Sequence, residues 1–143
     1  MAITDFYLLL LDDNRSRRES MLRAAQRAGL MRVHALPGAG QARTYLEQAA
    51  RRASEHARFP SLLLLNLDDP SGIEILSWLR SRPDLRRIVT IGLLDGRDGQ
   101  ILGRAHELHV NSCIVRPEEF DGQVSLFRSL REYWGHLNES PSS

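Results

Sequence analysis

Pro60-Ser61-Leu62-Leu63-Leu64-Leu65-Asn66-Leu67-Asp68-Asp69-Pro70 is the stretch whose reading decides the fold. It is apolar at nearly every position from 62 to 67, as a parallel strand is when helices cover both of its faces. Asn66 breaks the run near its end, and two acids and a proline then turn the chain into a loop. Further short apolar runs lie at residues 6–11, 31–36, 88–94 and 112–115. Between them, helical patterns fall near 15–28, 39–56, 72–80, 98–108 and 118–136. Gly29 supplies a C-terminal stop for the first helix, and Pro83 sits just beyond the third. Five strands alternating with five helices predict an α/β fold with an open, doubly wound parallel sheet. In such a sheet a ligand sits at the C-terminal strand ends. Those ends carry Asp12, Asp13, Asn66, Leu94 and Arg116.

Composition bounds the function classes. The 143 residues suit one domain with a sizeable core, and 42% apolar with 26% charged content is ordinary for a globular protein. A net charge of +1 gives no bulk attraction to nucleic acid or a membrane surface, so neither is expected as a partner. All 19 basic residues are Arg, which excludes Schiff-base and lysine general-base chemistry. The lone Cys113 cannot form an internal disulfide, no leader pattern opens the chain, and apolar stretches fall far short of the roughly 20 residues that span a bilayer. These features point to a cytoplasmic protein. Residues 1–138 read as a single domain and 139–143 as a disordered tail. A nucleotide-binding enzyme is disfavoured, because Asp12-Asp13-Asn14-Arg15 stands where a glycine-rich loop would follow the first strand.

Three motifs together carry a family resemblance. Leu8-Leu9-Leu10-Leu11-Asp12-Asp13-Asn14, the Pro60–Pro70 stretch and Asn111-Ser112-Cys113-Ile114-Val115-Arg116-Pro117 resemble the first, third and fifth strands of a two-component response-regulator receiver, the CheY-like domain. Tyr133-Trp134-Gly135-His136-Leu137-Asn138 is similar to an ending seen in response regulators paired with phytochromes. The resemblance spans about residues 4 to 138 and implies a flavodoxin-like (βα)5 fold with strand order 2-1-3-4-5.

It also implies a site. In the family two carboxylates and an acceptor aspartate hold Mg²⁺, while a hydroxyl after strand four and a lysine after strand five bind the phosphoryl oxygens. Here Asp12 and Asp13 stand at the metal positions, with the Asp68 backbone carbonyl as a third donor. Asn66 stands at the acceptor position, Leu94 at the hydroxyl position, Arg116 at the lysine position and Cys113 at the aromatic switch position. An amide is not phosphorylated, leucine cannot hydrogen-bond a phosphoryl oxygen, and Cys113 has no ring to swing. The resemblance therefore implies a degenerate receiver, a pseudo-receiver. It would be a signalling protein and not an enzyme, requiring no cofactor, with Mg²⁺ held weakly if at all. Such a module would act by protein contact with a sensor histidine kinase or phytochrome-like sensor, and as a homodimer through its fourth helix, fifth strand and fifth helix.

Alternatives stand beside that reading. Asp68 or Asp69 is a displaced acceptor, with Mg²⁺ at Asp12 and Asp13. Asp12 and Asp13 are equally read as a structural pair offset by Arg116. His106 and His109, one turn apart, read as surface histidines, and Cys113 as a small buried residue. The run Arg15, Arg17, Arg18, Glu19, Arg23, Arg27 reads as a solvated helix face. Leu126, Leu130, Tyr133 and Leu137 are expected to cover the sheet, with Phe127 and Trp134 as a neighbouring stripe. The resemblance further implies a cis Arg116–Pro117 bond.

Overall fold

A computed structural model describes residues 7–30, 32–52, 60–86, 88–96 and 99–135. The proposed tail, residues 139–143, lies outside them. The described chain runs β1 (Tyr7–Leu11), α1 (Arg15–Arg27), β2 (Arg32–Leu36), α2 (Ala39–Arg52), β3 (Leu62–Asn66) and α3 (Pro70–Arg80). A 3-10 turn (Pro83–Leu85), β4 (Val89–Leu94), α4 (Gly99–Glu107), β5 (Ser112–Val115), α5 (Phe120–Leu130) and a π turn (Arg131–Gly135) follow. All pairings are parallel, and the strand order is β2-β1-β3-β4-β5, as expected. None of the described helices is long and apolar enough to cross a membrane.

Alternation along the strands sends side chains to two apolar layers. Leu8, Leu10, Leu62, Leu64, Ile91 and Leu93 pack with Met21, Ala24 and Ala25 of α1 and with Val124, Phe127 and Leu130 of α5. On the other face Leu9, Leu11, Leu63 and Leu65 meet Leu46 of α2, Ile75, Leu76 and Leu79 of α3, and Ala105 of α4. Each fully buried leucine contributes about 1.5–3 kcal/mol, so the leucine strands dominate the drive to fold. Both faces are closed, and functional groups are left to the strand ends.

Local signals set the helix ends. Gly29 adopts φ +94°, its N–H donates to Gln26 O, and the Leu30 N–H donates to Ala25 O. That pair of bonds closes α1 in the left-handed turn glycine favours. The third helix starts at Pro70, two residues earlier than the periodicity suggests. Asp69 caps it by accepting from the Ser71 N–H, and Pro70 fills the first turn.

Two expectations fail. In α5 the buried positions are Gln123, Val124, Phe127 and Leu130, with Leu126 packed against the same core; Leu126 and Leu130 thus cover the sheet as expected, while Tyr133 does not and is 61% exposed. The π turn after Leu130 changes the residues per turn, so the stripe does not continue in phase. Phe127 belongs to the core and to no surface stripe; the Trp134 side chain and Leu137 lie outside what is described. The Arg116–Pro117 bond is trans, the form an X–Pro peptide keeps unless its surroundings favour cis by about 0.5–1 kcal/mol.

Candidate functional site

The C-terminal ends of β1, β3, β4 and β5 bring Asp12, Asn66, Leu94 and Arg116 to one edge of the sheet, as expected from sequence. Asp12, at 1% exposure, lies just past β1. Asn14 begins α1 beside it: its side chain accepts from the Arg17 N–H at 2.8 Å, and its own N–H donates to Asp12 Oδ1 at 2.9 Å. That cap places Arg17 in the first helical turn, aimed back at the acid. Arg17 Nε donates to Asp12 Oδ2 at 2.7 Å and Nη2 to Oδ1 at 3.0 Å, a two-pronged match of guanidinium to carboxylate. Arg18 Nη1 donates to the Asp12 carbonyl oxygen at 2.9 Å. A helix with no acid and several arginines in its first turn opposes its own dipole, and Asp12 and Asp13 offset that cost.

Asn66 is also buried, at 2% exposure. Its Oδ1 accepts from Arg116 Nη1 at 2.8 Å and from the Asp68 N–H at 3.3 Å. Its Nδ2 is buried and has no hydrogen-bond partner among the described residues. Arg116, itself 7% exposed, reaches two further carboxylates. Nη1 lies 3.3 Å from Asp68 Oδ2, and Nη2 lies 3.3 Å from Asp95 Oδ1. The Asp95 N–H closes the set by donating to Asp68 Oδ2 at 2.6 Å.

The arginines therefore divide the site differently from the expectation. In the alternative that makes Asp12 and Asp13 a structural pair, Arg116 is their counter-ion; it pairs instead with Asp68 and Asp95, and Arg17 takes Asp12. Backbone explains this: the Arg116 N–H is bonded to Leu94 O, which holds the residue over the β3 and β4 ends. Asp13 is largely exposed, 3.9 Å from Arg17 Nη2. Reading Arg17 and Arg18 as solvated surface missed both. The usable signal was Asn14, since a cap directly after an acidic pair turns the third helical residue back upon that pair.

Asp69 is held as the α3 cap, its Oδ1 accepting from the Ser71 N–H at 3.2 Å. Burial, and secondarily the charges of Asp13 and Asp12, push its carboxyl above the ordinary range despite that N–H. The Arg17 guanidinium is pushed up in turn, first by its hydrogen bonds to Asp12.

The hydrophobic positions close the rest of the edge. Leu94 is buried with Leu65 and Leu67 and presents no polar group. Leu67 lies across Gly92, where a Cβ would collide with its side chain and force it to shift. The constraint at Gly72 is stricter, because a Cβ there would collide with backbone, the Asn66 carbonyl oxygen, as α3 closes on β3. Cys113 is partly buried beside a cavity of about 90 Å³ lined by Leu94, Leu102 and Val115. Burial pushes its thiol up, away from reactivity.

These residues do not fit the family's divalent cation as they stand. Both Asp12 oxygens are engaged by Arg17, the Asn66 oxygen is engaged by Arg116, and Asp68 points its carboxylate at Arg116 and Asp95. Among the described residues no group of three or more His, Cys, Asp or Glu is placed to hold a metal. His106 and His109 are both exposed.

A five-stranded sheet of order 2-1-3-4-5 with an acidic residue after β1 and a cation after β5 defines the receiver class. No family model matches the chain. It is 30% identical over 141 residues to the probable methanogenesis regulatory protein FilR2 of Methanothrix harundinacea, covering 95% of this chain and 88% of that one. Over 82 residues, 56% of each chain, it is 27% identical to the response regulator Rcp1 of Synechocystis. Among solved structures, the phosphorylated cyanobacterial phytochrome response regulator RcpA superposes with a TM-score of 0.75 at 25% identity, over 90% of this chain and 92% of that one. The bacteriophytochrome response regulator AtBRR gives 0.67 at 30% identity, over 85% and 89%. The chain belongs to the response-regulator receiver family of two-component signalling, close to its phytochrome-associated members.

Proposed function

We propose that this receiver is a pseudo-receiver: a signalling module, not an enzyme, that acts by protein contact without accepting a phosphoryl group. The observation that carries this reading is the engagement of the acceptor position itself. Asn66 is a buried amide whose oxygen is bonded to Arg116 at 2.8 Å, and an amide lacks the charge and nucleophilicity that phosphoryl transfer needs. Both rival carboxylates have other work, Asp69 as a helix cap and Asp68 in the Arg116–Asp95 set.

In this proposal a conformation fixed by internal ion pairs replaces one switched by phosphorylation. The partner is a sensor histidine kinase or phytochrome-like sensor, by analogy with the phytochrome response regulators it is similar to. Self-association uses α4, β5 and α5; β5 carries Val115 at 47% exposure, α5 Phe120 at 36% and the π turn that follows it Tyr133 at 61%. Sedimentation with and without a small-molecule phosphodonor and Mg²⁺ tests the proposal. The expected result is a dimer whose association constant is the same in both conditions. A constant that changes with the phosphodonor, or a chain that stays monomeric, overturns it.

A further inference from the structure

We propose that Arg17 is a tethered cation standing in for the divalent ion, so that the chain closes its own carboxylate site to metal. This deepens the pseudo-receiver reading but rests on different atoms, since it concerns Asp12 and not the acceptor position.

Three observations converge on it. Arg17 engages both Asp12 oxygens, at 2.7 and 3.0 Å, and the same guanidinium lies 3.9 Å from Asp13. Asp12 is 1% exposed, so an incoming cation would have to displace this arginine to reach it. Arg17 is also held in place: its N–H is bonded to the Asn14 cap, Asn14 is bonded to Asp12, and Arg18 grips the Asp12 carbonyl oxygen. A cation delivered by the first turn of the adjoining helix acts at an effective concentration in the millimolar range or above. A hydrated divalent ion must shed water and compete with that.

The surrounding charge shows what Arg17 holds in check. Removing the guanidinium would leave Asp12 and Asp13 without the arginine that lies against both. Oxygen donors of that kind are what hard divalent cations take. The structure thus assigns Arg17 a role as occupant of the site, with the carboxylates able to accept a metal only when it is gone.

Mn²⁺ is the probe, followed by the paramagnetic signal of the free ion and by the thermal midpoint of the full chain. Wild type is expected to leave the free-ion signal undiminished and its midpoint unmoved. Arg17→Gln is expected to be less stable, to bind Mn²⁺ at least about tenfold more tightly than wild type, and to recover midpoint as the ion is added. Arg17→Lys, which keeps the charge, is expected to exclude the ion as wild type does. If Arg17→Gln is unfolded, Mn²⁺ is expected to restore its folded circular dichroism, and failure to do so overturns the proposal. Stoichiometric Mn²⁺ binding by wild type overturns it as well, as does a folded Arg17→Gln that binds none. Mn²⁺ binding by wild type without phosphorylation would leave the acceptor reading intact, whereas phosphorylation of a wild type that binds no Mn²⁺ would leave this proposal intact.

Discussion

Replacing Arg17 with methionine should be among the costliest changes at this site. The side chain is only 27% exposed, and its partner Asp12 only 1%. Methionine keeps the aliphatic packing but strands a buried carboxylate with the Asn14 N–H at 2.9 Å as its remaining side-chain bond here. Breaking a buried pair from one side costs about 3–5 kcal/mol, and the surviving N–H places this case near the lower end. The reverse change, Asp12→Ala, leaves a guanidinium already in part solvated and near Asp13, so a smaller loss of about 1–2 kcal/mol is expected. The double variant Asp12→Ala/Arg17→Met should be more stable than Arg17→Met alone, with a coupling of about 1–3 kcal/mol. Urea unfolding of the four proteins at neutral pH, at low and high salt, reads these numbers. If Arg17→Met falls within about 0.5 kcal/mol of wild type, the pair is an ordinary surface contact and the reasoning fails.

Further outcomes follow from the same contacts. Gly72→Ala should cost about 1–3 kcal/mol in urea unfolding, because α3 must retreat from the Asn66 carbonyl; an unchanged midpoint would refute that contact. Asp69, its carboxyl raised above 3.8 in the folded chain, holds its proton more tightly folded than unfolded. Its contribution to stability therefore rises as pH falls through the raised value toward 3.8, and is unfavourable at neutral pH. Asp69→Asn, which still caps α3, should raise the thermal midpoint at neutral pH and flatten that part of the pH profile; parallel profiles would contradict this. Cys113, pushed up by burial, should react with a thiol reagent more slowly than a free cysteine at mildly alkaline pH. Reaction at the free rate would place the thiol in solvent.

The parts of this molecule visible in its sequence are those set by backbone pattern. The leucine runs fixed the strands, because a strand closed on both faces must be apolar throughout. The positions converging at the sheet edge followed from strand ends alone. The ionic partners were not visible in the same way. Arg17 and Arg116 both lie within reach of several acids, and which acid each takes depends on a helix cap and on one N–H to Leu94 O. Tyr133 was misplaced for a related reason: a helical period holds only while the helix keeps its pitch, and the π turn after Leu130 alters it.

The central claim, that this receiver cannot take a phosphoryl group on itself, is tested most directly by intact mass. Wild type and Asn66→Asp would be incubated side by side with a small-molecule phosphodonor and Mg²⁺. Wild type is expected to keep its mass, whatever the behaviour of the variant. A phosphoryl gain on the variant alone would show that the amide is the only missing part; no gain on either would show that Arg17 and Leu94 close the site further. A phosphoryl gain on wild type would contradict the account and direct attention to Asp68 and Asp69.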